Sequence, residues 1–318
     1  MKRAIITGAT GAVGTALALE LARQGVEVLV LARKGSRRNE NIPADPMISV
    51  AFCSLEEMEE FQNTTGKDYD VFYHLAWMGT TGAERNDFEL QNRNVKYALD
   101  AVALARRFGC HSFVGIGSQA EYGRKEEDLL PDTPAAPETA YGMAKLCAGQ
   151  MTRAYAHQLG MRHLWVRILS VYGPYDQNGS MIMSTIEKLK SGLTPEFTRG
   201  EQMWDYLYSM DAGRALTMLG EKGVDGKTYV LGSGTARPLR EYMEAIRDIC
   251  APGAPLGIGA IPYGRNQVMY LKADISEIRK DTGWMPEVTF EEGIRNLVLT
   301  WGWKVGRKIR GADVHEKD

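Results

Sequence analysis

Tyr141 and Lys145 stand four residues apart in TAYGMAKLCAGQ, a spacing that places both on one face of a helix. An ammonium beside a phenol favours the phenolate and lowers the tyrosine pKa from its reference of about 10. A phenol tuned in this way is a competent acid or base for an alcohol–ketone couple. Upstream, the apolar stretch FVGIGS ends on Ser118, whose hydroxyl can polarise a carbonyl. Alone, a Tyr-x-x-x-Lys pair reads as ordinary packing. With a strand-end serine before it and a glycine turn near residue 8, it reads as a catalytic set of Ser118, Tyr141 and Lys145.

The glycine turn is GATGAVG, lying between the apolar run RAIIT and the helical pattern TALALELARQG. Gly8 permits a tight turn, Gly11 a close backbone approach, and Gly14 close helix–strand packing. Thr10, Ala12 and Val13 complete the turn. Free backbone N–H groups and the positive end of a helix dipole make such a turn a pyrophosphate cradle. An NAD site usually carries Asp or Glu at the end of the second strand, about 20 residues past the glycines. That strand ends VLVLARKGSRR, with Ala32 in the place of the acid and Arg33 after it. A guanidinium grips a 2′-phosphate that a carboxylate would repel. Lys34, Arg37 and Arg38 add positive charge. NADP(H) is therefore the expected cofactor, with NAD(H) as the alternative.

Positioning these residues requires alternating strands and helices. RAIIT, VEVLVLA, DVFYHLA, HSFVGIGS, RHLWVRIL and KTYVLGS read as strands, with helices at 86–108 and 139–159 among those between them. This pattern implies an α/β fold with a parallel sheet covered on both faces. After about residue 170 the order changes, with helical MIMSTIEKLKSG, mostly extended FTRGEQMWDYLYSM, and helical stretches at 237–249 and 289–301. The expected division is a dinucleotide-binding domain over 1–170, to which about 207–235 returns. A substrate cap covers 171–206 and about 236–303, and a charged tail covers 304–318. EEMEEF at 56–61 reads as a solvated helix and His74 as a packed core histidine.

The 318 residues carry 38 basic and 40 acidic side chains, a net charge of −2. That balance argues against nucleic acid and an anionic membrane surface. No apolar stretch approaches the ~20 residues of a bilayer span. The apolar run begins at Ala4, and Cys53, Cys110, Cys147 and Cys250 form no CxxC pair. A cytoplasmic protein with free thiols and no metal site is expected.

The chain resembles the extended short-chain dehydrogenase/reductases of the NAD-dependent epimerase/dehydratase family, from Ile5 to about Trp301. TGATGAVG is similar to the family's TGxxGxxG, and HLAW to its strand-four motif. VRILSVYGP is similar to the strand leading into the substrate lobe, and YVLGSGTARPLREYMEAI and ADISEIRKDTGWMPEVTFEEGI to the C-terminal blocks. The resemblance implies a Rossmann-type doubly wound sheet with a smaller C-terminal α/β substrate-binding cap. It implies a nucleotide-sugar substrate and a homodimer paired through helices 86–108 and 139–159. Ser118, Tyr141 and Lys145 would be the triad, with Lys145 also holding the nicotinamide ribose. Leu75, Ala76, Ser54 and Leu55 would line the cofactor, Asn94 would steady the site, and Arg167 would lie on the strand entering the cap. Ser118, Gln119 and Ser170 would face the substrate.

Three departures refine this. Gln119 and Ala120 occupy the positions of the dehydratases' Asp–Glu pair, and Glu121 lies one place late, where an extended chain would aim it away. Trp204 precedes Asp205 where many members have a diphosphate-binding arginine, which leaves Arg265 as the candidate for that role. Ser54 stands where an adenine-contacting Asp is frequent. QMWDYLYSMD, GSQAEYG and HLAWMGTTG are similar to the family's branch of 4-keto-sugar reductases. The expected activity is NADPH-dependent reduction of a 4-keto group on a nucleotide-activated deoxysugar. The alternatives are a 4-epimerase with tightly bound NAD and a non-catalytic NADP(H)-sensing regulator.

Overall fold

Short runs of β-branched and aliphatic residues, most of them joined through helices, form the central layer. The computed structural model describes residues 1–176 and 179–300. Seven strands build one parallel sheet: β1 (Arg3–Thr7), β2 (Glu27–Ala32), β3 (Ile48–Phe52), β4 (Val71–His74), β5 (Ser112–Ser118), β6 (Arg162–Ile168) and β11 (Thr228–Leu231). Their order is β11-β6-β5-β4-β1-β2-β3. The order reverses between β1 and β4, and the crevice at the carboxyl ends of those strands is where open α/β sheets bind ligands. Pairing of Thr7 with His74 fixes that edge.

Alternation along β1 distributes its side chains to two cores. Ala4 and Ile6 pack with Leu17 and Leu21 of α1 (Ala12–Arg23) and Leu216 of α5 (Ser209–Lys222). Ile5 packs on the other face with Ala101 and Leu104 of α2 (Phe88–Arg107) and Ala156 of α3 (Ala140–Gln158). Both faces are therefore covered, as a buried parallel sheet requires.

The remainder is built from small sheets, α4 (Met181–Lys190), α6 (Leu239–Cys250) and a helix over 290–300. β7 (Ser170–Tyr172) pairs with β10 (Tyr206–Tyr208), and β9 (Met203–Trp204) lies between β12 (Arg237–Pro238) and β14 (Tyr270–Leu271). β8 (Glu196–Phe197) pairs with β13 (Gly257–Ile258), and α7 (Ser276–Thr282) follows β14. Tyr172, Tyr208, Tyr242 and Phe290 join Ile182 and Ile186 in a separate apolar core. Among the described residues no helix is long and apolar enough to cross a membrane. The expected tail at 304–318 lies outside the described residues.

Two local expectations are corrected. EEMEEF forms turns rather than a solvated helix: Met58 N–H donates to the Leu55 carbonyl at 3.4 Å and Glu60 N–H to the Glu57 carbonyl at 3.2 Å, three residues back, and Met58 is buried. Residues 119–121 form a 3-10 turn rather than extended chain. Glu121 is kept from the cleft by that turn, which directs its carboxylate into the core.

Candidate functional site

The glycine turn joins β1 to α1. Gly8 has φ +77°, and a Cβ there would lie 2.7 Å from the Ala76 nitrogen. A Cβ on Gly14 would overlap the Gly8 carbonyl oxygen, so both positions need glycine. Gly11 caps α1 without a side chain, and a Cβ on it would meet only the Arg38 guanidinium, at 3.5 Å. The first N–H groups of α1 thus lack a side-chain cap, with a positive charge beside them. This cradle fits a dinucleotide pyrophosphate. Thr10 holds the turn through its carbonyl, which accepts from Arg38 (3.4 Å) and Asn41 (3.1 Å). Ala12 and Val13 begin α1, half-buried.

Around the cradle, Leu75 packs on the first core, and the Ala76 N–H donates to the Thr7 hydroxyl at 3.3 Å. Ala32 is buried at the end of β2, and Arg33 beyond it is exposed. The Cys53 N–H donates to the Ala32 carbonyl at 2.9 Å, which brings Ser54 to the same carboxyl edge. Leu55 packs on the second core. Sequence reasoning chose Arg33 from this basic run; the structure brings Arg38 to the turn.

Ser118, Tyr141 and Lys145 converge at the carboxyl end of β5. Thr139 caps α3, accepting the Gly142 N–H at 3.1 Å, and so begins the helix one residue before Tyr141. Lys145 is buried, its Nζ donating to the Ile116 carbonyl at 2.7 Å. Burial pushes this ammonium down to about 7, with Glu121 opposing the shift. Tyr141 is buried too, and burial raises its pKa, opposed by its hydrogen bond with Ser118 and by the charge of Arg85. This corrects the expectation that Lys145 pulls the phenol down. The ammonium lies 5.9 Å from the Tyr141 ring centre and 3.7 Å from that of Trp77.

Glu121 is fully buried behind Ser118. Its carboxylate accepts from the Ser118 N–H (2.8 Å), Trp165 Nε1 (3.1 Å) and Arg167 Nε (2.7 Å). The Ser118 hydroxyl accepts the Ala120 N–H at 3.2 Å, so both ends of the serine are held. Gln119 and Ala120 are half-buried in that turn and provide no acid. Asn94 does not meet the triad directly; it pins Met78 by donating to its carbonyl (2.9 Å) and accepting its N–H (3.0 Å). His74 packs in the sheet with Nδ1 3.0 Å from the Thr7 hydroxyl, and burial pushes its pKa down to about 3.

Among the cap candidates, Trp204 and Ser170 come together, the indole N–H donating to the hydroxyl at 2.9 Å. Arg265 is exposed on the loop between β13 and β14, and among the described residues no hydrogen bond ties it to this group. Sequence reasoning missed Trp77 and Arg85, which lie on the loop after β4 and touch Lys145 and Tyr141. The signal was present in HLAWMGTTGAERN, a glycine-punctuated loop at the carboxyl end of a central strand. Among the described residues no group of three or more His, Cys, Asp or Glu side chains could hold a metal ion.

The chain was compared with known proteins. UDP-glucose 4-epimerase of Corynebacterium glutamicum is 25% identical over 309 residues, covering 90% of this chain and 91% of that one. CDP-abequose synthase of Salmonella typhimurium is 24% identical over 301 residues, covering 92% and 96%. Among solved structures, UDP-N-acetylglucosamine 4-epimerase from Methanobrevibacter ruminantium superposes with a TM-score of 0.84 at 19% identity, covering 96% of this chain and 99% of that one. RMD from Pseudomonas aeruginosa complexed with NADPH gives 0.77 at 22% identity, covering 95% and 99%. The profile of the NAD dependent epimerase/dehydratase family matches residues 4–232. With its glycine cradle and its convergent serine, tyrosine and lysine, the chain belongs to that family of NAD(P)-dependent nucleotide-sugar enzymes.

Proposed function

We propose that the protein reduces a 4-keto group on a nucleotide-activated deoxysugar with NADPH. The observation that carries this reading is the basic end of β2: buried Ala32 offers no carboxylate, Arg33 is exposed beside it, and Arg38 reaches the glycine turn. Gly8, Gly11 and Gly14, with Arg38 on the turn, would hold the pyrophosphate, and Arg33 would hold the adenosine 2′-phosphate. Leu75 and Ala76 would line the cofactor, with Ser54 and Leu55 at the adenine end. Bound NADPH supplies the hydride. Ser118 holds the carbonyl oxygen, and Tyr141 gives its proton to that oxygen as negative charge develops there. Lys145 would bind the nicotinamide ribose. Gln119, Ser170 and Trp204 would face the sugar, and Arg265 would reach the diphosphate from its exposed loop.

Dehydration is disfavoured because Gln119 and Ala120 are not acids and Glu121 is committed to Arg167, Trp165 and the Ser118 N–H. A 4-epimerase with retained NAD is the second reading, favoured by the full-length likeness to the Corynebacterium glutamicum enzyme. The outer face of α3 exposes Met143, Cys147 and Met151 at helical spacing, a surface suited to a cytoplasmic homodimer. Denaturing the purified protein and identifying the released nucleotide tests the choice. Stoichiometric NAD supports the epimerase, and a chain that exchanges NADPH freely supports the reductase.

A further inference from the structure

Residues 75–87 run from β4 across the carboxyl edge of the sheet to α2. Gln91 fastens this loop from below, donating to the carbonyls of Gly79 (2.8 Å) and Glu84 (3.0 Å) and accepting the Trp77 indole N–H (2.8 Å). Asn86 fastens its far end by accepting the Ala140 N–H at 3.2 Å, one residue from Tyr141. So held, the loop brings the Trp77 ring edge-on to Tyr141, with centroids 6.3 Å apart. The Arg85 guanidinium lies 4.4 Å over the centre of the Tyr141 ring. Arg85 Nη1 donates to the Thr80 carbonyl at 3.0 Å, which fixes the side chain in that position.

We propose that Arg85 is a positioning residue of the reaction, whose guanidinium, stacked on the Tyr141 ring, is the fixed positive charge that supports the phenolate during proton transfer. The inference rests on the reading of Tyr141 as the acid. When the phenol protonates the substrate oxygen, its O–H bond breaks, a new O–H bond forms on the substrate, and the negative charge is left on Tyr141. Three charged side chains lie around the Tyr141 phenol, and two of them, Arg85 and Glu121, act on it electrostatically. Lys145 comes from the same helix, but its buried ammonium lies on Trp77 and, pushed to about 7, is neutral in a growing fraction of molecules above that pH. Glu121 comes from the turn after β5 and opposes the phenolate. Arg85 comes from the β4–α2 loop, and a guanidinium keeps its proton throughout the working range.

The test uses the full chain carrying ¹³Cζ-labelled tyrosine, with Y141F identifying the Tyr141 signal. The signal is titrated in the parent, R85Q and R85K, with R85M replacing R85Q if that variant does not fold. An opposite charge within about 4–6 Å shifts a pKa by roughly 1–3 units, and partial exposure of Arg85 argues for the lower end. R85Q should therefore raise the midpoint by about one pH unit, and R85K should restore most of the difference. The pH profile of NADPH-dependent reduction should move in the same direction, with the KM for NADPH unchanged. A midpoint unmoved by R85Q overturns the proposal, as does a Tyr141 signal in the parent that fails to titrate before the chain unfolds. If R85K fails as fully as R85Q, Arg85 serves only to hold Thr80. If the parent reduces no 4-keto sugar yet the midpoint shifts, the reductase reading fails and the role of Arg85 stands.

Discussion

Replacing Lys145 with Met should make the chain more stable at neutral pH and abolish a rise of stability with pH. Burial holds the folded Lys145 near 7 against an ordinary 10.5, a gap of 10.5 − 7 = 3.5. At about 1.36 kcal/mol per unit, the penalty for keeping this ammonium in the folded state has a ceiling of about 5 kcal/mol. Below pH 7 both states carry the proton and the penalty is present in full. Between about 7 and 10.5 the unfolded chain holds a proton that the folded chain has released, so stability rises with pH. The variant has no such group. It leaves the Ile116 carbonyl without its donor, which costs about 1–3 kcal/mol, so the net gain at neutral pH should be about 2–4 kcal/mol. Urea unfolding of cofactor-free parent and variant at several pH values reads the difference between them. That difference should shrink by about 2 kcal/mol from pH 7 to 9. A difference constant across the window would refute the reasoning, because it would mean that Lys145 keeps its proton in the folded chain.

Two further substitutions probe the site. Tyr141→Phe should lower turnover by about 10²- to 10⁴-fold, the range for a general acid, while leaving the NADPH dissociation constant nearly unchanged. A loss smaller than about threefold in steady-state assays would remove Tyr141 from the acid role. Arg33→Ala should weaken NADPH by roughly ten- to a hundredfold and spare NADH, as loss of one charge-assisted phosphate contact predicts. Arg38→Ala should weaken both cofactors, because its guanidinium lies on the glycine turn; fluorescence titration at fixed low salt separates the two patterns.

The sheet was legible because its signals are local. RAIIT, FVGIGS and RHLWVRI each carry an apolar run, and the glycines of GATGAVG stand out by their spacing, although only Gly14 is forced by near neighbours while Gly8 is required by Leu75 and Ala76 on the adjacent strand's loop. β3 was not read as a strand, since it is the sheet's edge, pairs only with β2, and leaves Val50 and Phe52 exposed. α5 escaped notice because Ser209, Asp211, Ala212, Gly213 and Ala215 share its buried face with Leu216 and Leu219, so small and polar residues dilute its apolar periodicity. In the site, Tyr141, Lys145 and Ser118 were legible from spacing and chain order. Their electrostatics were not, because burial at Tyr141 outweighs the Ser118 hydrogen bond and the Arg85 guanidinium. The contacts of Arg85 with Tyr141 and of Trp77 with Lys145 depend on a loop closed by Gln91 and Asn86, and no local pattern announces that closure.

The central claim is net reduction at C4 of a nucleotide-bound sugar. The most direct test incubates the purified protein with NADPH deuterated at nicotinamide C4 and, separately, with 4-keto-6-deoxy sugars and with 4-hydroxy sugars, each carried on UDP, CDP, GDP and dTDP in turn. Absorbance of the reduced nicotinamide and the mass of the product are followed together. The account predicts loss of NADPH absorbance in step with product, and one deuterium at sugar C4. Conversion of a 4-hydroxy sugar nucleotide to its epimer with no consumption of added NADPH, and with no deuterium in the product, would contradict it.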